Sequence, residues 1–174
     1  MNDFQFTLRP TRSDERLPRF RLIEQAWRAA YAHIYSPQEI DGVFDSTISS
    51  YGDWVDRRKG HVAHISADSA GEMIGFISLS LLRNDEGEVS ALYILPAFQR
   101  QGVGQALWDT GCTRLQGLGC PAVWVWTIAK ANAVHFYEKQ GCVRADEGNY
   151  YVGEHHERAI GFRLELAPEV RNRK

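Results

Sequence analysis

Phe4, Phe6 and Leu8 alternate with polar neighbours, so residues 4–9 predict a half-buried strand that Pro10 stops. Ser13-Asp14-Glu15 then supplies a cap and an acidic first turn, and Leu17, Phe20, Ile23, Trp27 and Tyr31 recur at helical spacing. Pro18 falls in the first turn of that helix, where a missing N–H costs little. Ser36-Pro37-Gln38-Glu39 combines a capping box with proline at the first helical position, and a further short helix is predicted around residues 49–58. From His61 the period changes from helical to alternating. Strands are predicted at 61–67, 73–82 and 88–95, joined by the turns Asp68-Ser69-Ala70-Gly71 and Asn84-Asp85-Glu86-Gly87, an antiparallel meander. Val103, Ala106, Leu107 and Leu115 restore a helical stripe that ends at Gly117. Residues 122–127 form a continuous apolar run, the signature of a strand buried on both faces. A short helix over 132–140 and two strands near 142–151 and 156–166, turning at Gly153, complete a β-α-α-β-β-β-α-β-α-β-β order.

Composition narrows the class. The 174 residues are 44% hydrophobic, enough for one domain, read as residues 1–167 with a polar basic tail at 168–174. Twenty basic residues face 22 acidic ones, a net charge of −2, which argues against both disorder and a dedicated nucleic-acid binder. The start of the chain lacks the features of an export signal, and the apolar runs at 91–95 and 122–126 are too short to span a bilayer. Cys112, Cys120 and Cys142 are odd in number and widely spaced, so they read as reduced core residues of a cytoplasmic protein with no metal. Neighbouring His155 and His156 do not change this, because adjacent strand residues point to opposite faces, and their turn reads as a solvated hairpin.

The segment from Leu92 to Leu107 carries the chemistry. A strand runs into a turn, and Gly102 and Gly104 open a helix. Glycines admit a ligand close to the backbone, and successive N–H groups at a helix N-terminus form an anion cradle. The inference is a phosphate or pyrophosphate site on the backbone of residues 100–105, with Arg100 either adding charge or simply solvated; the plainer reading is a structural strand-to-helix turn. A dinucleotide fingerprint needs a third glycine in an early βαβ unit, and a P-loop needs Gly-Lys-Ser/Thr; neither is present here.

Gln99-Arg100-Gln101-Gly102-Val103-Gly104 resembles the Gln/Arg-x-x-Gly-x-Gly/Ala signature of the GNAT N-acetyltransferase superfamily. Leu92-Tyr93-Ile94-Leu95-Pro96 resembles that family's fourth strand, and Phe136-Tyr137-Glu138-Lys139-Gln140-Gly141-Cys142 its second motif. The resemblance implies an α/β (α+β) fold: a mixed, mostly antiparallel central sheet of about seven strands, flanked by helices and splayed between the fourth and fifth strands. Acetyl-CoA would lie in the splay as co-substrate. Its pyrophosphate would meet Arg100, Gln101, Gly102, Val103, Gly104 and Gln105, and its pantetheine would pair with the backbone of Leu92, Tyr93 and Ile94 like an added strand. An N–H near Ile94 would polarise the thioester carbonyl, and the amine would attack directly.

Roles follow from the same resemblance. Tyr137 matches the tyrosine that protonates the departing CoA thiolate; the alternative is an aromatic packed in the core. Glu88 stands six residues before Ile94, where some family members carry a base, and simple alternation puts Glu88, Ser90, Leu92 and Ile94 on one face. It would take the ammonium proton through water or hold the cationic amine, unless it is an exposed acid at the end of a turn. Many relatives have an asparagine where this chain has Lys130; Asn132, two residues on, either replaces that contact or caps the following helix, and capping is preferred.

Trp27-Arg28-Ala29-Ala30-Tyr31 resembles a first-helix pattern of many bacterial relatives, with Trp27 read as core and Tyr31 and His33 as pocket candidates. Trp124 and Trp126 share one side of a strand, with core packing favoured for both and Trp126 nearest the expected splay. The combined reading is a cytoplasmic acetyl-CoA-dependent N-acetyltransferase acting on a primary amine, which leaves small metabolites, antibiotics, polyamines and peptide N-termini as acceptors. No nucleic acid or membrane partner is expected, and a homodimer is expected only because the family often forms one. The rival readings are a non-catalytic acyl-CoA-binding or regulatory module on the same scaffold and, more distantly, a nucleotide-phosphate binder.

Overall fold

A computed structural model describes residues 4–45 and 60–167. The predicted helix at 49–58 and the tail at 168–174 lie outside the described residues. Seven strands form one sheet: β1 (Thr7–Pro10), β2 (His61–Ser69), β3 (Glu72–Leu81), β4 (Gly87–Ile94), β5 (Ala122–Ile128), β6 (Val143–Val152) and β7 (His155–Glu165). Their spatial order is β1-β2-β3-β4-β5-β7-β6, antiparallel throughout except for the parallel contact of β4 with β5. Four α-helices are described: α1 (Arg16–Tyr31), α2 (Pro37–Asp45), α3 (Val103–Gly117) and α4 (Ala133–Lys139), with a single 3-10 turn at Pro96–Phe98. Among the described residues no helix is long and apolar enough to cross a membrane.

The sheet divides two hydrophobic layers. Phe20, Ile23 and Trp27 of α1, with Ile40 and Phe44 of α2, pack on the face that carries Phe76, Ala91 and Ile128. Val103, Leu107 and Leu115 of α3, with Val134 and Tyr137 of α4, pack on the face of Ile77, Leu79, Val89, Val123 and Phe162. The predicted sheet with helices on both sides is therefore the one that forms, because each helix has one apolar stripe and each strand two sides to cover.

Local signals resolve with two differences. At Ser36 the capping box closes as predicted: the Ser36 N–H donates to the Glu39 carboxylate at 2.8 Å, and the Glu39 N–H to the Ser36 hydroxyl at 3.3 Å. Ser13 caps nothing, since α1 begins at Arg16 with Glu15 in the cap position. Glu15 is instead taken by arginines. The Arg9 guanidinium donates to it at 2.5 and 2.8 Å, the Arg12 N–H does so at 2.7 Å, and Arg9 also reaches Asp68 at 2.7 Å. Pro10, expected to stop β1, is its last residue, which an edge strand tolerates.

This buried cluster ties α1 to β1 and β2. The Arg9 guanidinium holds the Glu15 carboxyl at about 2, below its ordinary range. The bond's contribution is thus present above the unfolded carboxyl pKa of about 4.3 and is lost as pH falls through about 2. Glu15→Gln is expected to lower unfolding free energy by about 2 kcal/mol near neutral pH, with the gap from wild type closing as pH drops toward about 2. Denaturant titrations at neutral and acid pH measure this; a gap independent of pH would refute the ionic role.

Candidate active site

The strands β4 and β5 pair at only three positions, Gly87↔Val123, Glu88↔Trp124 and Val89↔Val125. Beyond Val89 they part, while β4 stays paired to β3 through Ile94 and β5 to β7 through Ile128. The sheet is therefore open at its centre. The Leu95 N–H donates back to the Ile74 carbonyl of β3 at 2.8 Å, so by strand alternation the N–H groups of Leu92 and Ile94 face the open side. The Ile94 carbonyl there already accepts the Gln99 side-chain amide at 3.2 Å.

A bulge changes what faces the opening. Ser78 pairs with Ala91 and Leu79 with Val89, which leaves Ser90 as an extra residue. The bulge reverses the alternation expected along β4. Leu92 and Ile94 share the α3 side with Val89, whereas Glu88 shares the α1 side with Ala91 and Tyr93. Glu88 is 6% exposed, so it is not the solvated turn-end acid that was one reading of the sequence. It lines a cavity of about 210 Å³ with Ser90, Tyr93, Tyr31, Trp126 and Tyr150.

Tyr137 lies on the opposite side of the sheet. Its ring packs on Trp108, Phe136 and Phe162, and burial pushes its phenol well above the ordinary range. Tyr93 adds to the rise at Tyr137, and Tyr137 adds to the rise at Tyr31, where burial is again the largest cause. The contacts of Tyr137 are those of an aromatic packed in the core, which was the alternative reading of the sequence.

At the mouth, Arg100 and Gly102 take positive φ of 61° and 85°, and a Cβ on Gly102 would meet nothing within 4 Å. Gly102 is the cap residue of the 15-residue α3 and makes no side-chain capping bond, so the first N–H groups of α3 are left for another acceptor. Arg100 and Gln101 are exposed, and Gln101 folds its amide onto the Ala97 carbonyl at 2.9 Å. Val103 is buried in the core, Gly104 lies against Ile94, and Gln105 donates to Asp109 and Gln140. Asn132, at the start of α4, is exposed and makes no capping bond, contrary to the preferred expectation. Lys130 is held by Glu157 at 2.8 Å.

Residues 21–142, more than two thirds of the chain, match the Acetyltransferase (GNAT) family. The chain belongs to this family. It is 28% identical over 131 residues to the uncharacterized N-acetyltransferase YuaI of Bacillus subtilis (strain 168), covering 73% of this chain and 74% of that one. It is 36% identical over 81 residues to the mycothiol acetyltransferase of Propionibacterium freudenreichii, covering 44% of this chain and 26% of that protein. Its fold superposes with a TM-score of 0.76 on the PaiA N-acetyltransferase of Thermoplasma acidophilum in complex with coenzyme A, at 17% identity over 93% of this chain and 99% of that one. The expected acetyltransferase fold is thereby established, including the mostly antiparallel seven-stranded sheet.

The aromatic residues of this acetyltransferase depart from expectation in one respect. Trp27 is core, and its indole N–H donates to the Tyr93 hydroxyl at 3.1 Å. Trp124 is half-buried and donates to Glu86 at 2.6 Å. Trp126, however, is 43% exposed and lines the cavity, so core packing is the wrong account of it, and β5 is not buried on both faces along its length. Tyr150 escaped sequence analysis because nothing local in its edge strand marks it; β6 meets the cavity only through pairing with β7. His33, a pocket candidate, instead bonds the Lys130 carbonyl at 3.0 Å. All three cysteines are free, and burial pushes the Cys112 thiol to about 12 and the Cys142 thiol to about 11.

The His155 turn is not merely solvated. His155 contacts Glu39 at 2.8 Å and Glu157 at 3.1 Å through its two ring nitrogens, while His156 lies against Tyr151. Glu39 and then Glu157 raise the His155 pKa, so its contribution is fully present below the unfolded value of about 6.5 and fades as pH rises through the folded one. His155→Asn is expected to lower Tm most in mildly acidic buffer, with the difference from wild type shrinking as pH rises; thermal melts across that range check the sign.

Proposed function

We propose that this acetyltransferase moves an acetyl group from acetyl-CoA to a primary amine by direct attack in a ternary complex. The observation that carries the reading is the opening of the sheet after Val89, with Glu88 lining a cavity on one side and Tyr137 in the layer packed on the other. The residues present fit the donor. The uncapped start of α3 and the open space at Gly102 suit a pyrophosphate on residues 100–105. The open edge of β4 over Leu92, Tyr93 and Ile94 suits a pantetheine amide chain added as a strand. Asn132, with no capping bond, is available to the same chain. Acetyl-CoA supplies the activated acyl group as a thioester.

This chain's residues then hold and move protons. Glu88 holds the acceptor ammonium and takes its proton, leaving a neutral nitrogen as nucleophile. The Ile94 N–H, facing the opening, donates to the carbonyl oxygen where negative charge builds. As the new C–N bond forms and the C–S bond breaks, Tyr137 gives its proton to the departing sulfur, and the proton shed by the new amide nitrogen restores the phenol. Burial keeps that phenol protonated at neutral pH, so it is a donor when the thiolate appears. A cytoplasmic small-molecule or peptide-amine enzyme fits this chemistry.

Tyr137→Phe is expected to lower kcat by about 10²-fold while acetyl-CoA affinity by calorimetry stays within about twofold. Glu88→Gln is expected to cut kcat/KM by a similar factor and to flatten the acid limb of its pH profile. Full turnover in Tyr137→Phe would remove the acid assignment, and absence of acetyl-CoA binding by the wild-type protein would overturn the reading itself.

A further inference from the structure

The cavity on the α1 side has walls of one kind and a floor of another. Tyr31, Tyr93, Tyr150 and Trp126 surround it, and Glu88 is the one carboxylate among the described residues that line it. No lysine or arginine lines it among the described residues. The tyrosines are held from behind: Trp27 packs edge-on against Tyr31 at 4.8 Å, lies 6.0 Å from Tyr150 and donates to Tyr93.

Trp126 is held by an absence of side chains. Its ring lies over Gly161 of β7, where a Cβ would come within 2.9 Å of the indole, and against Gly148 of β6 at 3.4 Å. Two glycines on adjacent strands thus form a flat bed for the indole. One face of the ring is packed on backbone and 43% of the residue remains exposed. A large apolar ring fixed in place yet open to solvent beside a cavity is a wall built for a ligand.

We infer that the acceptor is a compact primary monoamine carrying an apolar or aromatic group, an arylalkylamine, and that Trp126 and Tyr150 select it. This rests on the proposed acetyl transfer to an amine and names its acceptor. The size is right: about 210 Å³ lies below the roughly 300–1,000 Å³ of drug-sized sites. The charge is right as well. One ammonium meets Glu88 and the aromatic faces, which favour a cation. Among the described lining residues a polyamine's second ammonium finds no second carboxylate, and an amino acid's carboxylate finds no cation. The aromatic walls give the remaining surface of an arylalkylamine apolar partners, which a polar aminocyclitol would not use.

The test begins with calorimetric binding of acetyl-CoA to the wild-type protein, since failure there removes the underlying reading. CoA-thiol release is then followed with 2-phenylethylamine, phenylalanine, spermidine and a tripeptide with a free N-terminus. The first is expected to exceed each of the others in kcat/KM by about tenfold or more. Phenylalanine matters most, because it keeps the ring and adds only a carboxylate. Trp126→Ala is expected to raise the KM for 2-phenylethylamine about tenfold with acetyl-CoA affinity within about twofold of wild type, and Tyr150→Leu, on an edge strand, to do the same. In the wild-type protein, 2-phenylethylamine should change tryptophan fluorescence, and this response should vanish in Trp126→Ala. Equal or faster turnover of phenylalanine, spermidine or the peptide would overturn the inference. So would acetyl-CoA binding with no turnover of 2-phenylethylamine, or an unaltered KM in both variants.

Discussion

Beyond Val89 the facing edges of β4 and β5 have no partner in each other, at the centre of a seven-stranded sheet. Backbone N–H and C=O groups away from water must be hydrogen-bonded, so a sheet opens at its middle only where the rest of the fold holds both halves independently. Here β4 is held by β3 along its length, and β5 by β7 across seven residue pairs. Helices on both faces clamp the two halves, with α3 across one side and α1 across the other. The open edge of β4 is thereby held by its other neighbours, as the proposed binding edge requires: donors fixed in direction before a ligand arrives.

The opening sorts residues by face, and a single extra residue does the sorting. The bulge at Ser90 turns Glu88 toward the α1 side, while Leu92 and Ile94 stay packed on the α3 side. Without it, the carboxylate and the apolar pair would compete for the same layer, and a carboxylate buried among Leu107, Val103 and Ile94 would be costly. Tyr137 approaches from the other layer. The two groups proposed to exchange protons with the reactants therefore belong to opposite layers of the sheet.

The α1 side of the opening is held by contacts far apart in sequence. Trp27 of α1 hydrogen-bonds Tyr93 of β4, and Trp126 of β5 rests on glycines of β6 and β7. Glu39 of α2 meets His155 of β7, which meets Glu157, which meets Lys130 after β5. That chain of charges joins α2 to the far half of the sheet, so the two halves are tied across the side of the cavity rather than through β4 and β5.

Much of this was legible in the chain itself. Element order, the turn at Gly102, the capping box at Ser36 and the candidate proton carriers Tyr137 and Glu88 follow from periodicity, local capping chemistry and motif resemblance, all of which act over a few residues. Tertiary structure decided the rest. Strict alternation cannot register a bulge, because an inserted residue leaves the local pattern of side chains intact and only pairing with β3 reveals it. The exposure of Trp126, the arrival of Tyr150 at the cavity and the pairing of His155 with Glu39 depend on contacts between distant strands and helices. What the sequence determined alone is the set of elements and the chemistry each carries; which face each residue presents, and to whom, is set by strand registry and helix packing.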